Sequence, residues 1–343
     1  MSFIRETIRA HKPWIDQIIS YVHGNKNIVK SMSMKIITGT IAYDYIMNFP
    51  GAFSDHILPN QVHKINLSFI VDKFARRRGG TAGNVSYSLS LLKTPHLLFT
   101  YAGMDFDEYR KAFEDLGIRL DAVKIDQQNY TSTGFAMTDK ADNQIWGYFY
   151  GASEKISTLI LSSVATKDDF VLIGPSGASG SMSFVKQCIE NNISYMFDPG
   201  FILTQINDGD LFEGIAHASY VIGNDYEIGL IQHRIKNWEK IAKERVIIKT
   251  LGGNGSEIED HGKKYKIAPA VVKNPIDPTG AGDAWRGGFI AGLERKQDTK
   301  TAAQMGSVAA AYAVESYGTQ EYSYSLTQFK NRYRLTYKNL LDL

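Results

Sequence analysis

The sequence is poor in cysteine, with Cys188 as the only one among 343 residues. A single thiol excludes an intramolecular disulfide and is typical of proteins from a reducing compartment. Because Val185 and Ile189 flank it in a predicted helix, we expect Cys188 to pack in the core. The eight histidines form neither an HExxH motif nor a Cys/His cluster. The sequence therefore predicts no zinc site.

Long apolar runs and an excess of one charge are also missing. No stretch approaches the roughly 18 apolar residues of a membrane helix, and the N-terminus lacks the continuous apolar core of a secretory signal. The net charge is +2, and the basic run 76–78 is too short to indicate a nucleic-acid-binding surface. We therefore expect a cytoplasmic protein whose partners include neither membrane nor nucleic acid.

The most informative stretch runs from 277 to 293 and reads DPTGAGDAWRGGFIAGL. Three small residues precede a predicted helix: Gly280, Ala281 and Gly282. Backbone amides at a helix N-terminus form an anion site, and Asp283 would face the bound group with a pKa lowered by the helix dipole. A glycine-rich turn with a capping aspartate is the alternative. The glycines at 287, 288 and 292, each costing about 0.5–1 kcal/mol in a helix interior, favour a closely packed helix beneath a fixed site.

Short apolar runs alternate with predicted helices along most of the chain. The runs each end in a small or polar residue: Ile36–Thr40, Leu97–Ala102, Phe170–Gly174, Tyr195–Asp198, Tyr220–Asn224 and Val246–Thr250. Near-continuous apolar strands separated by helices predict an α/β fold with a mostly parallel sheet. Ligands in such folds bind beyond the carboxyl ends of the strands.

Two further regions depart from this alternation. Residues 1–33 predict an N-terminal helical extension, which leaves 34–343 as the main domain. Within it, the segments at about 48–72 and 130–150 are rich in aromatic and β-branched residues. They predict a small antiparallel lid over the strand ends, and its exposed strands favour a homodimer through the lid.

Other candidate site residues lie before and within the second glycine cluster. Gly79 and Gly80 permit close backbone approach, and Asn84 would either cap a helix or bind ligand hydroxyls. The cluster is no dinucleotide fingerprint, because GxGxxG is absent. Asp44 follows the first strand, where it would accept hydrogen bonds from a vicinal diol or serve in a turn.

Two later motifs also follow strands. Asn224 and Glu227 would lie on one face of a helix start, either as ligands of a hydrated Mg²⁺ or as a capping box. The stretch containing Thr250, Gly252 and Gly255 predicts a flexible loop after a strand, suited to lie along a bound nucleotide.

The order and spacing of these motifs resemble the ribokinase-like, or PfkB, family of sugar and nucleoside kinases, from Met34 to about Tyr322. The resemblance implies a three-layer α/β sandwich with a central mostly parallel sheet and a small β-sheet lid. It implies phosphorylation of a hydroxymethyl group by ATP, with Asp283 as base and the amides of residues 280–282 as anion hole. It further implies that Asn224 and Glu227 organise Mg²⁺ and phosphate, and that Asp277 contributes to a K⁺ site.

Substrate recognition follows from the same resemblance, which assigns the substrate hydroxyls to Asp44, Gly80 and Asn84. In particular, the chain resembles the bacterial adenosine kinases in the stretches 39–44, 48–51, 58–59, 63–69, 83–84, 224–227, 283–286 and 315–321. This similarity implies adenosine as substrate, with the purine held between Phe135 and either Tyr148 or Phe149. The alternatives are a sugar kinase for ribose or fructose and a catalytically idle nucleoside-binding protein.

Overall fold

The computed structural model describes residues 33–57, 66–141 and 143–343. Apart from Ser33, the predicted helical extension lies outside the described residues, as does part of the predicted lid segment 48–72. No helix in the described part of the chain is long and apolar enough to cross a membrane.

In the part of the chain that the structure describes, eight strands form the central sheet. Across the sheet they follow the order β14 (Lys263–Ile267), β13 (Ser256–Asp260), β12 (Val246–Thr250), β11 (Tyr220–Asn224), β10 (Ser194–Phe197), β9 (Phe170–Ile173), β1 (Lys35–Thr38) and β4 (His96–Leu98). The strands from β12 to β4 pair in parallel, and only β12–β13 and β13–β14 are antiparallel pairs. Each predicted apolar run overlaps a strand, and the strong majority of parallel pairs confirms the prediction of a mostly parallel sheet.

Helices connect these strands and cover the sheet. In the described residues they are α1 (Thr81–Leu91), α2 (Asp107–Asp115), α3 (Gly177–Glu190), α4 (Asp208–Ala216), α5 (Asp225–Arg234), α6 (Trp238–Glu244), α7 (Ala281–Glu294), α8 (Thr299–Val314) and α9 (Leu326–Tyr337). A short parallel pair, β5 (Tyr101–Ala102) with β6 (Lys124–Ile125), lies outside the central sheet.

Alternate residues of the central strands enter two separate hydrophobic cores. Ile36 packs in one core and its neighbour Ile37 in the other, and Val171 and Leu172 of β9 divide in the same way. The first core contains residues of α3 to α6, and the second contains residues of α1, α7, α8 and α9. Because both faces of the sheet are covered, residues 34–343 form a three-layer sandwich, as the family resemblance implies. Cys188 is fully buried in the first core.

A separate four-stranded sheet, here called the small sheet, has the order β3 (Lys73–Gly79), β2 (Ala42–Asn48), β7 (Ser132–Thr138) and β8 (Gln144–Phe149). The predicted segment 130–150 supplies β7 and β8. In contrast, the described residues of 48–72 contain a 3₁₀ turn at Phe53–Asp55 and no strand residue beyond Asn48, which ends β2. Strands β2 and β3 instead flank that segment. The sequence did not predict β3, because four of its seven residues are basic: Lys-Phe-Ala-Arg-Arg-Arg-Gly.

The expectation of a purely antiparallel small sheet is wrong. β2 pairs in parallel with β7, while β2–β3 and β7–β8 are antiparallel pairs. The chain leaves the small sheet after β3, forms α1, β4 and α2 in the main body, and only then returns as β7. Such a long crossover allows β7 to run in the same direction as β2.

Candidate active site

A cavity of about 900 Å³ lies between the N-terminus of α7 and the carboxyl ends of the central strands. Residues that follow β10, β11 and β12 form one wall, and the first turn of α7 lies in another. The lining includes Thr81, Asp198, Phe201, Asn224, Glu227, Thr250, Gly252, Gly255, Gly280, Ala281, Gly282, Asp283 and Arg286. The structure thus brings three motifs to one cavity: the loop after β12, the loop before α7 and the Asn224–Glu227 motif. This position is expected for a ligand site in an open α/β sheet.

The loop before α7 turns sharply at Gly280, which has a φ of 76°. A Cβ atom at this position would lie 2.8 Å from Cγ2 of Thr319, so only glycine fits. The amide of Ala281 donates to the carbonyl of Pro278 at 3.1 Å and is used within the turn. Helix geometry leaves the amides of Gly282 and Asp283 without intrahelical acceptors. The predicted anion hole of the 280–282 amides therefore needs correcting at Ala281, whose amide is used within the turn, whereas the helix-end amides of Gly282 and Asp283 remain available to an anion.

Asp283 occupies the first turn of α7. Its Oδ2 atom accepts a hydrogen bond of 2.8 Å from Nδ2 of Asn84 in α1. Burial raises the pKa of Asp283 to about 6, although Arg286 and the Asn84 hydrogen bond lower it. The expectation of a lowered pKa is therefore wrong, because removing the carboxylate from water outweighs the favourable helix terminus.

Arg286 and Asp198 form a pair that the sequence did not reveal. Nη2 of Arg286 lies 2.8 Å from Oδ1 of Asp198, and Nε of Arg286 binds Oδ2 of Asp198. The Arg286 Nη1 atom also donates to the carbonyl of Gly282 at 2.9 Å. The pair therefore ties the strand end after β10 to the first turn of α7. Only the position of Asp198 at a strand end signalled a role, since its partner lies 88 residues away.

Asp44 lies on β2 with two glycines beside its carboxylate. A Cβ atom at Gly79 would come within 2.2 Å of Oδ2 of Asp44, and one at Gly134 within 2.6 Å of Oδ1. Burial, followed by the negative charge of Asp283, raises the pKa of Asp44 to about 6. The two aspartates therefore face a common space, and Gly79 serves by making room for the carboxylate.

Gly80 and Asn84 have different local roles. Gly80 has a φ of 84° and precedes the first residue of α1. A Cβ atom on it would lie 2.6 Å from the carbonyl oxygen of Thr40. Asn84 lies inside α1, with its side chain bonded to Asp283 and to Gln320. Helix capping by Asn84 is therefore excluded, and its side chain lies against the carboxylate of Asp283.

The predicted aromatic residues divide between the two faces of the small sheet. We call the face that carries Asp44 the inner face. In the pairing register, Asp44 is opposite Gly134, and Gly134 is opposite Tyr148. Directly paired residues project to the same face, so Tyr148 shares the inner face with Asp44. Trp146 does too, since its ring would lie 3.1 Å from a Cβ atom at Gly134.

Phe135 and Phe149 lie on the opposite, outer face. Phe135 pairs with Tyr45 and Gly147 and stacks on the Tyr45 ring at 5.3 Å between centroids. One purine cannot contact both Phe135 and Tyr148 across a sheet. The predicted combination of Phe135 with Tyr148 is therefore wrong, because a strand period of two places them on opposite faces. The alternative combination, Phe135 with Phe149, shares the outer face, which is turned away from Asp44.

Tyr148 also contacts the main body. Its ring lies 5.7 Å from that of Phe201, which lines the cavity. Its hydroxyl end is buried beside Thr40 and Ser132, and this burial raises the pKa of Tyr148 to about 12. Phe201 is a second residue that the sequence did not single out, and its ring is 52% exposed.

Asn224 and Glu227 form the capping box of α5. The Asn224 side chain accepts from the Glu227 amide at 2.8 Å, and Oε2 of Glu227 accepts from the Asn224 amide at 2.8 Å. Burial raises the pKa of Glu227, and the charge of Asp198 adds to this. The capping alternative is thus present in the structure. The capping box leaves Oε1 of Glu227 and the side-chain Nδ2 of Asn224 for other partners.

The loop after β12 provides an open surface. Thr250 ends the strand, and a Cβ atom on Gly252 would meet no other atom within 4 Å. Gly255 is required for a different reason, because its Cβ atom would lie 2.0 Å from the carbonyl oxygen of Ile267. Gly255 therefore maintains the turn between β12 and β13, while Gly252 leaves space along the cavity.

The donor set fits a hydrated cation better than a protein-made metal cage. The described residues contain no group of three or more His, Cys, Asp or Glu side chains placed to hold a metal ion. Mg²⁺ commonly keeps several waters and uses one or two carboxylates together with substrate phosphates. Both oxygens of Asp277 accept backbone hydrogen bonds, from Thr279 at 2.9 Å and Gly318 at 3.0 Å. Asp277 therefore joins the loop before α7 to the 318–320 segment.

Comparison with known proteins supports this geometry. Residues 40–325 match the model of the pfkB family of carbohydrate kinases. A nucleoside kinase of Methanothermobacter thermautotrophicus is 30% identical over 294 residues, which cover 83% of this chain and 90% of that protein. A nucleoside kinase of Methanocaldococcus jannaschii is 27% identical, covering 82% and 90%.

Solved structures show the same fold. The structure of Burkholderia thailandensis nucleoside kinase in complex with inosine superimposes with a TM-score of 0.80 and 30% identity. The match covers 89% of this chain and 99% of that one. The chain therefore belongs to the pfkB family of carbohydrate kinases and is a phosphotransferase with a hydroxyl group as acceptor.

Proposed function

We propose that this protein is a nucleoside kinase that transfers the γ-phosphoryl group of ATP to the 5′-hydroxyl of a nucleoside, with adenosine as the first candidate. The observation that carries the proposal is the position of Asp283. It lies at the first turn of α7, in the wall of the large cavity, bonded to Asn84 and electrostatically coupled to Asp44.

Asp283 would orient the acceptor hydroxyl. Its Oδ2 atom is engaged by Asn84, which leaves Oδ1 for the hydroxyl proton. A pKa of about 6 keeps the carboxylate ionised at neutral pH, yet close enough to the working pH to accept a proton. Phosphoryl transfer has a loose transition state, so positioning and charge stabilisation do most of the work. The amides of Gly282 and Asp283 would stabilise the developing negative charge.

The inner face of the small sheet suits a nucleoside better than a bare sugar. Asp44 would accept hydrogen bonds from the ribose diol, while Trp146 and Tyr148 present rings on the same face. Phe201 brings a third ring from the main body. Stacking on a base is worth about 1–3 kcal/mol per base in nucleic-acid binders. Rings against a bare sugar would leave hydroxyls unpaired, at about 1–3 kcal/mol each. The small sheet would thus act as the predicted lid.

The larger part of the cavity would hold ATP. Gly252 offers open backbone along one wall, and Asn224 and Glu227 present their remaining polar atoms to the same space. Mg²⁺ would be held by Glu227 through water and would offset phosphate charge. A K⁺ ion near Asp277 stays part of the proposal, with loop carbonyls as its further ligands.

We further propose a homodimer through the outer face of the small sheet. Four large apolar side chains on this face are exposed: Phe74 at 63%, Phe135 at 46%, Ile145 at 47% and Phe149 at 46%. Contiguous exposed apolar residues on a sheet are typical of an interface between proteins.

The test is an ATP-consumption assay with adenosine, inosine, guanosine, ribose and fructose. We expect a higher kcat/KM for at least one nucleoside than for either sugar. Efficient phosphorylation of ribose or fructose without nucleoside turnover would establish the sugar kinase alternative. Nucleoside binding without any turnover would establish the idle binding protein.

A further inference from the structure

A continuous chain of hydrogen bonds leads from the small sheet to Asp283. The Tyr109 hydroxyl donates to the carbonyl of Gly79 at 2.8 Å, and Nε2 of Gln320 donates to the Tyr109 oxygen at 2.7 Å. The same Nε2 donates to Oδ1 of Asn84 at 2.9 Å, and Nδ2 of Asn84 donates to Asp283 at 2.8 Å. The path therefore joins four parts of the chain that are distant in sequence: the segment 79–84, Tyr109, Asp283 and Gln320.

The direction of every bond in the path is fixed by its first member. The carbonyl of Gly79 can only accept, so the Tyr109 hydroxyl must donate to it. The Tyr109 oxygen then accepts, which requires Gln320 to present its NH₂ group. Both protons of that group are used, and the second requires Asn84 to present Oδ1. Asn84 must therefore direct its own NH₂ group towards Asp283.

Burial protects this path from water. Tyr109 is 0% exposed, Gln320 3% and Asn84 4%. Burial also raises the pKa of Tyr109 far above its ordinary value, so its hydroxyl remains a donor. Gly83 makes the space, because a Cβ atom there would lie 2.0 Å from the Tyr109 oxygen and 3.3 Å from Nε2 of Gln320. The path thus accounts for a glycine inside α1.

We propose that Gln320 is a positioning residue for phosphoryl transfer, which holds the Asn84 amide in the one orientation that donates to Asp283. The proposal rests on the proposed function, because it takes Asp283 as the base. A flipped Asn84 amide would place Oδ1 against the carboxylate, and repulsion would displace the base. In the observed orientation, Asn84 also retains a second N–H for a substrate hydroxyl.

Gln320 itself does not carry the charge that acts on the base. The charged groups that act on Asp283 are Arg286, which lowers its pKa, and Asp198 and Glu227, which raise it. Asp44 faces the same space from the small sheet. None of these residues hydrogen-bonds Gln320 in the described structure, so a Gln320 variant changes the Asn84 contact and leaves the surrounding charges in place.

The test is Gln320→Met, which keeps the length of the side chain and removes its donors. We expect kcat to fall about ten-fold, equivalent to about 1.4 kcal/mol, while the KM for ATP changes less than about three-fold because the path does not include the residues proposed to hold ATP. The Asp283 pKa, measured by carbon NMR titration without substrate, should rise. The acid limb of the kcat profile should move to higher pH with it.

Gln304→Met is the matched control. Gln304 is also buried and bonded to a tyrosine, with the Tyr333 hydroxyl 2.6 Å from its Oε1 atom, but it has no link to Asn84. Comparable thermal destabilisation in both variants, with a pKa shift only in Gln320→Met, supports the proposal. An unchanged Asp283 pKa in a folded Gln320→Met protein overturns it.

Two further variants keep the test decisive. Tyr109→Phe should shift the Asp283 pKa in the same direction by a smaller amount, because Gln320 then keeps one of its two acceptors. The double variant Asn84→Ala/Gln320→Met should lose no more activity than Asn84→Ala alone, and additive losses would contradict the path.

The NMR measurement needs no turnover, so a failed nucleoside assay would refute the proposed function without deciding this inference.

Discussion

Arg286 and Asp198 meet in a two-point ion pair beneath the first turn of α7, with Nη2 and Oδ1 2.8 Å apart. Their side chains are only 9% and 2% exposed. Two opposite charges that are so nearly buried compensate each other, and water can replace either partner only in part. The pair also holds the carbonyl of Gly282, so it supports the backbone next to Asp283.

Arg286→Met should therefore destabilise the protein strongly. Removing one member of a buried pair typically costs about 3–5 kcal/mol, because the other charge is left uncompensated. Denaturant unfolding of Arg286→Met, Asp198→Asn and the double variant checks this. The double variant should cost less than the sum of the single variants. Additive costs would mean that the two residues contribute independently.

Asp283→Asn should abolish most of the turnover. Asparagine preserves size but cannot accept the hydroxyl proton, so we expect kcat to fall at least about 100-fold, within the range for a positioned acid–base group. Affinities for nucleoside and ATP, measured by calorimetry, should stay within a few-fold. Near-normal turnover of this variant would refute the role of Asp283 as base.

Activity should decline as the pH falls through about 6. Asp283 must be ionised to accept a proton, and burial raises its pKa to about 6. Asp44 titrates in the same range and is coupled to it, so the acid limb of kcat/KM should report both carboxyls. In Asp44→Asn, one ionisation disappears, and the limb should become less steep. A wild-type profile that stays flat down to pH 4.5 would contradict the burial argument.

The raised pKa of Asp283 also predicts how the free energy of unfolding depends on pH. The native state holds the Asp283 proton more tightly than the unfolded chain, in which the pKa is near 3.8. The free energy of unfolding should therefore decrease as the pH rises from about 4 to about 6. At pH 7, Asp283→Asn should be more stable than the wild type, and this gain should vanish below the unfolded pKa. Thermal unfolding at pH 3.5 and pH 7 makes the comparison.

Inner-face and outer-face aromatic variants should behave differently. Trp146→Ala and Tyr148→Ala should each raise the nucleoside KM about ten-fold, as expected for lost stacking of about 1–3 kcal/mol, with little change for ATP. Phe135→Ala is the matched control and should leave the nucleoside KM nearly unchanged. In sedimentation velocity, the same Phe135→Ala protein should dissociate more readily. A nucleoside KM that responds to Phe135→Ala but to neither inner-face variant would refute the inner-face assignment.

A protein that begins at Met34 should remain active. Every residue assigned to the site lies beyond that point, and the family match begins at residue 40. The shortened protein should have kcat and KM values within about two-fold of the full chain. Folded but inactive protein, as judged by circular dichroism, would assign residues 1–33 a part in the site or in the dimer.

Much of the fold could be predicted because its signals are local. The apolar runs at Phe170–Gly174 and Val246–Thr250 predict buried strands by themselves, and the structure confirms β9 and β12 there. The glycine loop before Asp283 could also be identified locally, since its φ of 76° at Gly280 and its helix are encoded by adjacent residues. Such features need no knowledge of the rest of the chain.

The missed features depend on contacts between distant residues. Asp198 and Arg286 are separated by 88 residues and Asn84 and Gln320 by 236, and no periodicity relates such pairs. The faces of Phe135 and Tyr148 depend on strand register, which a one-residue shift reverses. The pKa of Asp283 depends on burial, and burial is known only once the layers are assembled.

The fully buried Cys188 makes the protein well suited to optical measurement of domain movement. Its thiol is the only one in the chain, and burial raises its pKa to about 12, so it resists maleimide dyes at neutral pH. A cysteine introduced at the exposed Ile70 position and another on the surface of α9, for instance at Leu335, would therefore be labelled without background. Energy transfer between two such dyes would test in single molecules whether the small sheet closes when ligand binds, with the natural cysteine left in place.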